Sequence, residues 1–273
     1  MSNPITSGLS FKLSIGVPLL VVAIGAWYLS AVLYQASSPM GMDSMAPVIP
    51  IATMAGMFTT LDAGVVFAFL VVWVVGMVAM MFPAMVPIMS FYSGLVTKQE
   101  RRPNLSRLVG PPLFLTGYLS LYLLLGLGLF AAVYEVFQLG LMMPWLSSWS
   151  VFGVAAVLFA VGIWQVTPLK EKMLGKCISP MGFFMTHARK GLPGAFRMGA
   201  EHGVYCVGCC WLYMLIMLAV AAMSLISMAL LSGLIIVEKA FVGKSSWFKW
   251  LSAGIFFSLG AAVLVFPTFV ALI

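Results

Sequence analysis

The sequence contains few charged residues. Only 8% of its 273 residues are Asp, Glu, Lys or Arg, whereas about 25% is usual for a globular domain. Apolar residues make up 63% of the chain, and the mean hydropathy is +1.11. This composition excludes a soluble enzyme and a disordered protein, because both expose far more charge to water. It predicts an all-α, polytopic transmembrane helix bundle in contact with membrane lipids, with 1–273 forming a single integral membrane domain.

Apolar runs long enough to cross a bilayer occur along the whole chain. A bilayer core of about 30 Å requires about 20 apolar residues as a helix. Such runs lie near 12–34, 63–91, 108–134, 150–167 and 250–272. A further apolar stretch, 203–237, would be about 50 Å long as one helix, which is too long for an ordinary span. Its division at 221–224 into helices near 204–221 and 225–240 gives about seven spans, and without that division the chain has six.

The basic residues favour one of these two topologies. With seven spans and the N-terminus inside, all 14 Lys and Arg residues are cytoplasmic, whereas six spans leave Lys239, Lys244 and Lys249 outside. Because Lys and Arg concentrate in cytoplasmic loops, the sequence favours seven spans, with the N-terminus inside and the C-terminus outside. The net charge of +7 is therefore a signal of orientation. It gives no reason to expect nucleic acid as a partner.

Methionine is abundant in the first outer loop of this topology. The extracytoplasmic loop 35–62 has no Lys or Arg but contains Met40, Met42 and Met45. A thioether is a soft ligand that suits Cu(I), and the spacing is similar to that of copper-capturing methionine motifs. The alternative is that these residues only fill gaps in packing. An aqueous loop gains little from such packing, so the ligand interpretation stays open.

The longest inner connection has a mixed composition. The cytoplasmic loop 168–203 contains an aromatic and methionine-rich run at 180–185, followed by basic residues up to Lys190. An apolar face beside a basic end is typical of a short helix that lies in the membrane interface. A plain polar loop is the alternative.

Cysteine and histidine are scarce, but their positions coincide. One histidine and three cysteines are spaced i, i+4, i+7 and i+8: His202, Cys206, Cys209 and Cys210. This spacing places them on one face of a helix, at the cytoplasmic end of a span. Cys177 lies in the preceding inner loop and can reach the same end. Thiolate and imidazole ligands select Cu(I), zinc or iron–sulfur centres, so the five residues predict a metal site. Cysteines that only pack, or that exchange disulfides, are the alternatives.

A second group of methionines recurs every four residues in the second expected span: Met77, Met81, Met85 and Met89. Pro83 and Pro87 interrupt the hydrogen bonds of the same helix. The simpler interpretation is that these methionines pack against neighbouring helices. A kinked, methionine-lined helix that opens a path toward the inner cysteines is the alternative.

Several segments of the chain resemble the prokaryotic family described as predicted metal-binding integral membrane proteins. They are Met80–Met85, Trp164–Lys170, Cys177–Pro180, Gly194–Gly199 and His202–Trp211, the last with the motif Tyr-Cys-x-Gly-Cys-Cys-Trp. The resemblance covers roughly 73–240 and implies metal binding by Cys177, His202, Cys206, Cys209 and Cys210. The family commonly has an Arg after its loop cysteine, where this chain has Ile178. The resemblance also implies the cytoplasmic membrane of a prokaryote, and it implies no reaction.

Three hypotheses follow. In the first, the chain handles Cu(I) by transfer, storage or delivery to a membrane cuproenzyme, with Met40, Met42 and Met45 capturing the ion outside and the cysteines holding it inside. In the second, it is a non-catalytic accessory subunit of a larger membrane complex, such as a copper-dependent oxidase or monooxygenase. In the third, it is a membrane thiol oxidoreductase. The sequence favours a protein that is not an enzyme, and zinc is the alternative metal.

Overall fold

The computed structural model describes residues 4–37, 62–99, 103–138, 144–219, 225–241 and 247–266. These residues form helices without any strand, so the prediction of an all-α chain is confirmed. In chain order the helices are α1 (Pro4–Ser37), α2 (Ala63–Gln99), α3 (Pro103–Gln138), α4 (Pro144–Gln165), α5 (Pro168–Ile178), α6 (Pro180–His187), α7 (Gly191–Ala219), α8 (Leu225–Phe241) and α9 (Trp247–Val265).

Five of the described helices are long and apolar enough to cross a membrane, namely α1, α2, α3, α7 and α9. Helices α4 and α5 meet at a bend of 69° and make a sixth candidate if they form one broken span. Large apolar side chains point outward on several of these helices, as Ile24, Phe67 and Leu124 do on α1, α2 and α3. This arrangement is typical of an integral membrane protein.

The long apolar stretch 203–237 is divided between two helices. Helix α7 ends at Ala219 and α8 begins at Leu225, close to the predicted division. Helix α8 has 17 residues, slightly fewer than the usual transmembrane helix. Seven spans with the N-terminus inside stay a prediction.

The inner connection 168–203, predicted as a loop with either a short interfacial helix or no helix, is largely helical. Helix α6 covers the run 180–185, and its position in the membrane interface stays a prediction. Helices α5 and α6 each begin at a proline that follows a hydroxyl residue, Thr167 or Ser179. The Thr167 hydroxyl accepts a hydrogen bond from the N–H of Lys170 at 3.4 Å, and that of Ser179 accepts one from Gly182 at 3.1 Å. An N-cap followed by proline is a helix-start signal that the sequence already contains. As a result, Cys177 lies on the last turn of a helix.

Pro83 of α2 is accommodated by a neighbouring helix. Pro83 has no N–H, so the carbonyl of Ala79, one turn earlier, lacks its helical donor. The indole N–H of Trp27 on α1 donates to this carbonyl at 3.1 Å instead. The recurring methionines of α2 are buried in the core beside it: Met77, Met81, Met85 and Met89. Packing between helices accounts for their positions.

Helix α7 is central, and its most extensive contact is with α3. A Cβ atom added to Gly117 of α3 would lie 2.0 Å from the carbonyl oxygen of Phe196, and one added to Gly199 of α7 would lie 1.9 Å from that of Phe114. Glycine at both positions therefore lets the two backbones touch. The contact sets the register of α3 against the face of α7 that carries the cysteines.

Replacement of Gly199 by alanine should disrupt this contact. The added methyl group must push the α3 backbone away, and overpacking of this kind typically costs about 1–3 kcal/mol. We expect a clearly lower unfolding temperature for Gly199→Ala in detergent, measured by circular dichroism. Gly128→Ala on α3 is the control, because a Cβ there meets nothing within 4 Å. Equal unfolding temperatures for the two variants would contradict the close approach.

Candidate metal centre

Three cysteine thiols meet between α5 and α7. The Sγ atoms of Cys177, Cys206 and Cys209 all lie within 4.8 Å of one another, and all three residues are buried. Cys206 and Cys209 are about one turn apart on α7, and Cys177 reaches them from the end of α5. All four cysteines of the chain are free. The three sulfurs of this group, which we call the thiol layer, are close enough to bind one metal ion together.

Cys210, also predicted as a ligand, lies outside the group of three. It is buried, and its thiol donates to the carbonyl oxygen of Cys206 at 2.8 Å. The thiol of Cys209 donates to the same carbonyl at 3.1 Å. Both bonds are local to α7 and hold these side chains against their own helix. Cys210 as a metal ligand stays a prediction.

Polar groups of two other helices contact the sulfur of Cys206. The hydroxyl of Tyr118 on α3 donates to its Sγ at 3.2 Å, and the ammonium of Lys239 on α8 lies 3.4 Å from the same atom. The hydroxyl of Tyr122 lies 3.1 Å from that of Tyr118 and extends the chain of polar groups. A cation and a hydroxyl donor stabilise negative charge on the sulfur that they face. The site is therefore complementary to a metal thiolate.

Neither of these two partners follows from sequence reasoning. Tyr118 lies within an apolar run of α3, far from the cysteines in the chain, and only the approach of α3 to α7 brings it to the sulfur. In the sequence, Lys239 is only one of the basic residues that indicate the orientation of the chain in the membrane. The spacing of Tyr118 and Tyr122, which places both on one face of α3, is the one signal that the sequence contains.

His202 is buried one turn before Cys206, next to the thiol layer but outside it. The rings of Phe114, Tyr118 and Phe183 surround its imidazole at centroid distances of 6.1, 6.0 and 5.2 Å. Its Nδ1 atom has no hydrogen-bond partner among the residues that the structure describes. A buried imidazole nitrogen without a hydrogen-bond partner is well suited to bind a metal ion, so His202 stays a candidate for a fourth ligand.

Two further polar residues near the site have partners of their own. The Oε1 atom of Glu201 pairs with Arg189 at 3.0 Å and with Arg197 at 3.1 Å. His187 stacks on Phe183 at 4.8 Å. The predicted outer ligands, Met40, Met42 and Met45, lie outside the described residues.

The donor set fits a soft metal ion. Three sulfurs from a buried cluster select Cu(I) over hard cations such as Mg²⁺ or Ca²⁺, which need oxygen ligands. Structural zinc sites take four ligands, whereas the thiol layer supplies three. Zinc would therefore need His202 or Cys210 to move toward the layer.

A comparison with protein families gives one match. A family model named PpoB2 and described as a copper chaperone matches residues 70–263. The matched range includes the thiol layer, Lys239 and the Tyr-Cys-x-Gly-Cys-Cys-Trp motif, and it begins after the methionine-rich loop. The match agrees with the metal-related family that the sequence resembles. Searches of curated proteins and of solved structures gave no match.

Serine substitutions should distinguish the three thiols of the thiol layer from the fourth thiol, that of Cys210, by their effect on Cu(I) binding. Cys177→Ser, Cys206→Ser and Cys209→Ser each remove a soft ligand, and we expect each to weaken Cu(I) binding by more than the roughly 10–100-fold caused by loss of a residue that only supports a ligand. Cys210→Ser is the matched comparison, and it should leave the dissociation constant nearly unchanged if the ion is bound by the group of three alone. The measurement is competition with a chromogenic Cu(I) chelator. A loss as large for Cys210→Ser as for the other three would contradict the three-sulfur site.

Proposed function

The chain belongs to the PpoB2 copper chaperone family, and on this basis we propose that it binds Cu(I) within a membrane and passes the ion to a partner protein. The observation that carries the proposal is the group of three buried Sγ atoms within 4.8 Å of one another. Copper is here the cargo, held by Cys177, Cys206 and Cys209. The cytoplasmic membrane of a prokaryote is the proposed location.

The charge of the site favours a monovalent ion held by few thiolates. Each thiolate adds a negative charge in a region with little water, where uncompensated charge is costly. The ammonium of Lys239 at 3.4 Å from Cys206 offsets one of these charges. A Cu(I) ion, two thiolates and Lys239 together carry no net charge. The third sulfur can then bind as a neutral thiol or leave, which suits an ion that must be released.

Burial of the cysteines favours metal binding over disulfide exchange. Thiols that exchange disulfides are attacked by a partner thiol, so they are partly exposed. Cys206 and Cys209 are 0% and 3% exposed, and Cys177 is 7% exposed. A partner thiol can reach these sulfurs only after the helices separate, so disulfide exchange in the resting arrangement is disfavoured. The thiol oxidoreductase hypothesis would require a change in thiol labelling of Cys206 and Cys209 under oxidant.

Metal analysis of the purified full-length protein tests the proposal directly. We expect one Cu(I) per chain at the thiol layer in the wild type and a loss of that ion in the Cys206→Ser/Cys209→Ser double variant. Protein purified from copper-supplemented cells is measured by atomic absorption. Equal, near-zero copper in both proteins would overturn the proposal.

Transfer kinetics distinguish delivery from storage. If the ion moves by ligand exchange, its rate of transfer to a thiol-containing acceptor should rise with the acceptor concentration, because the acceptor takes part in the step. Release from a storage site should instead proceed at a rate independent of the acceptor. Stopped-flow absorbance of a Cu(I) indicator on the acceptor side measures both. A slow, concentration-independent rate would favour storage.

The methionine-rich loop is proposed to capture copper on the outer side. Its thioethers are soft ligands, and the spacing of Met40, Met42 and Met45 lets neighbouring sulfurs face one ion. A Met40→Leu/Met42→Leu/Met45→Leu triple variant keeps side-chain size and removes the sulfur. We expect slower copper uptake into proteoliposomes, with copper binding at the thiol layer unchanged. Uptake at the wild-type rate would mean that the loop does not capture the ion.

Native mass of the gently solubilised protein addresses the accessory-subunit alternative. A chaperone that meets its partner transiently should be recovered on its own. Recovery in a stable complex with a copper-dependent oxidase or monooxygenase would favour the accessory role.

A further inference from the structure

Four polar side chains form a second buried group in the bundle, which we call the polar layer: Gln165 of α4, Lys170 of α5, Tyr213 of α7 and Glu238 of α8. The ammonium of Lys170 forms an ion pair with Glu238 and a hydrogen bond with the Gln165 side-chain oxygen. The hydroxyl of Tyr213 donates to Glu238 at 3.0 Å. All four residues are at least 96% buried.

Helices α5 and α7 contribute to both the polar layer and the thiol layer, and α8 contacts both. Helix α5 contributes Lys170 to one layer and Cys177 to the other, and α7 contributes Tyr213 and Cys206. In both cases the two residues are seven positions apart, which places them on the same helix face about 10 Å apart along the axis. Helix α8 contributes two adjacent residues, because Glu238 contacts the polar layer and Lys239 contacts Cys206.

The ion pair is the main link between α5 and α8. Helix α5 packs chiefly on α7 and touches α8 over a short length only. The Lys170 ammonium also lies 4.9 Å above the ring of Tyr213, so it contacts α7 and α8 together. Because Cys177 is on the last turn of α5, the position of this helix decides whether its sulfur reaches the two sulfurs of α7.

A buried ion pair of this kind is poorly explained by stability alone. Removal of two charges from water costs about as much as their attraction returns, and apolar residues of similar size often stabilise a core better. The pair does select one arrangement of the helices, because any displacement of α5 from α8 leaves both charges unpaired in an apolar interior. The main effect of the ion pair is therefore to fix the position of α5 relative to α8.

We propose that Lys170 and Glu238 are positioning residues that hold Cys177 at the thiol layer, so that their ion pair sets the number of sulfurs bound to copper. With the pair closed the ion has three sulfur ligands, and with it open the ion keeps Cys206 and Cys209 alone. The proposal rests on the proposed function, since it concerns the same copper site. It identifies the closed pair as the holding state and its opening as the step that frees a coordination position for an acceptor.

Copper K-edge X-ray absorption of the Cu(I)-loaded full-length protein tests this proposal. The Lys170→Met/Glu238→Gln double variant removes both charges, so no unpaired charge is left buried. We expect three sulfurs per copper in the wild type and two, at a shorter copper–sulfur distance, in the double variant. The Cu(I) dissociation constant should rise by about 10–100-fold, the usual effect of a residue that supports a ligand.

Two further variants control for a general effect on the fold. The Lys170→Glu/Glu238→Lys exchange keeps a pair between α5 and α8 and should restore three sulfurs. Arg197→Gln/Glu201→Gln removes an ion pair of α7 between an exposed and a partly buried side chain and should also keep three sulfurs. If the double variant does not fold, Glu238→Asp is measured instead, since its shorter side chain draws the carboxylate away from Lys170 without removing charge. It should show a lower average number of sulfurs than the wild type.

The outcomes separate this proposal from the proposed function. Three sulfurs in the folded double variant, or an unchanged site in Glu238→Asp where that variant is used, would overturn the positioning role and leave copper binding intact. Two sulfurs in the wild type would also overturn it, because Cys177 would then not be a ligand. A wild-type protein without bound copper would instead overturn the proposed function itself.

Discussion

The contact between α3 and α7 is the constraint on which the site depends. Because Gly117 and Gly199 have no side chains, the two backbones touch, and no sliding or rotation of one helix on the other preserves that contact. The register that it imposes brings the Tyr118 hydroxyl to the sulfur of Cys206 and packs the rings of α3 around His202. The cysteines therefore face a surface whose position is set by the contact between the two helices.

Beside this contact, α7 takes part in two buried groups of polar side chains, the thiol layer with its partners and the polar layer. Charges inside a membrane protein are costly unless they pair with each other or serve a ligand. Lys170 and Glu238 pair with each other, whereas Lys239 faces a sulfur. The contact between Lys239 and the sulfur suits a metal thiolate, because a thiolate carries the negative charge that the ammonium stabilises. The two layers thus combine a buried ion pair with a group of thiols that a lysine ammonium faces.

Much of the helix architecture follows from local patterns. Apolar runs predict α2, α3 and α9, and the small residues near 221–224 predict the separation of α7 from α8. Within 168–203, α6 agrees with the short helix that the run 180–185 predicts as one of two interpretations. Helix α5 is missed because its polar composition hides the cap signal at Thr167. The i, i+4, i+7 spacing correctly places Cys206 and Cys209 together, since both belong to one helix and helical geometry alone relates them.

The sequence by itself determined the helical class, the apolar character and the cysteine stripe of α7, because composition and periodicity act within one helix at a time. Only the tertiary structure decided which sulfurs meet. Cys177 joins the group and Cys210 does not, although Cys210 is next to Cys209 in the chain. Tyr118, Lys170, Glu238 and Lys239 likewise acquire their partners across helices. Such contacts depend on the register and rotation of packed helices, which result from close approach at glycines and from pairing of buried charges rather than from any local pattern.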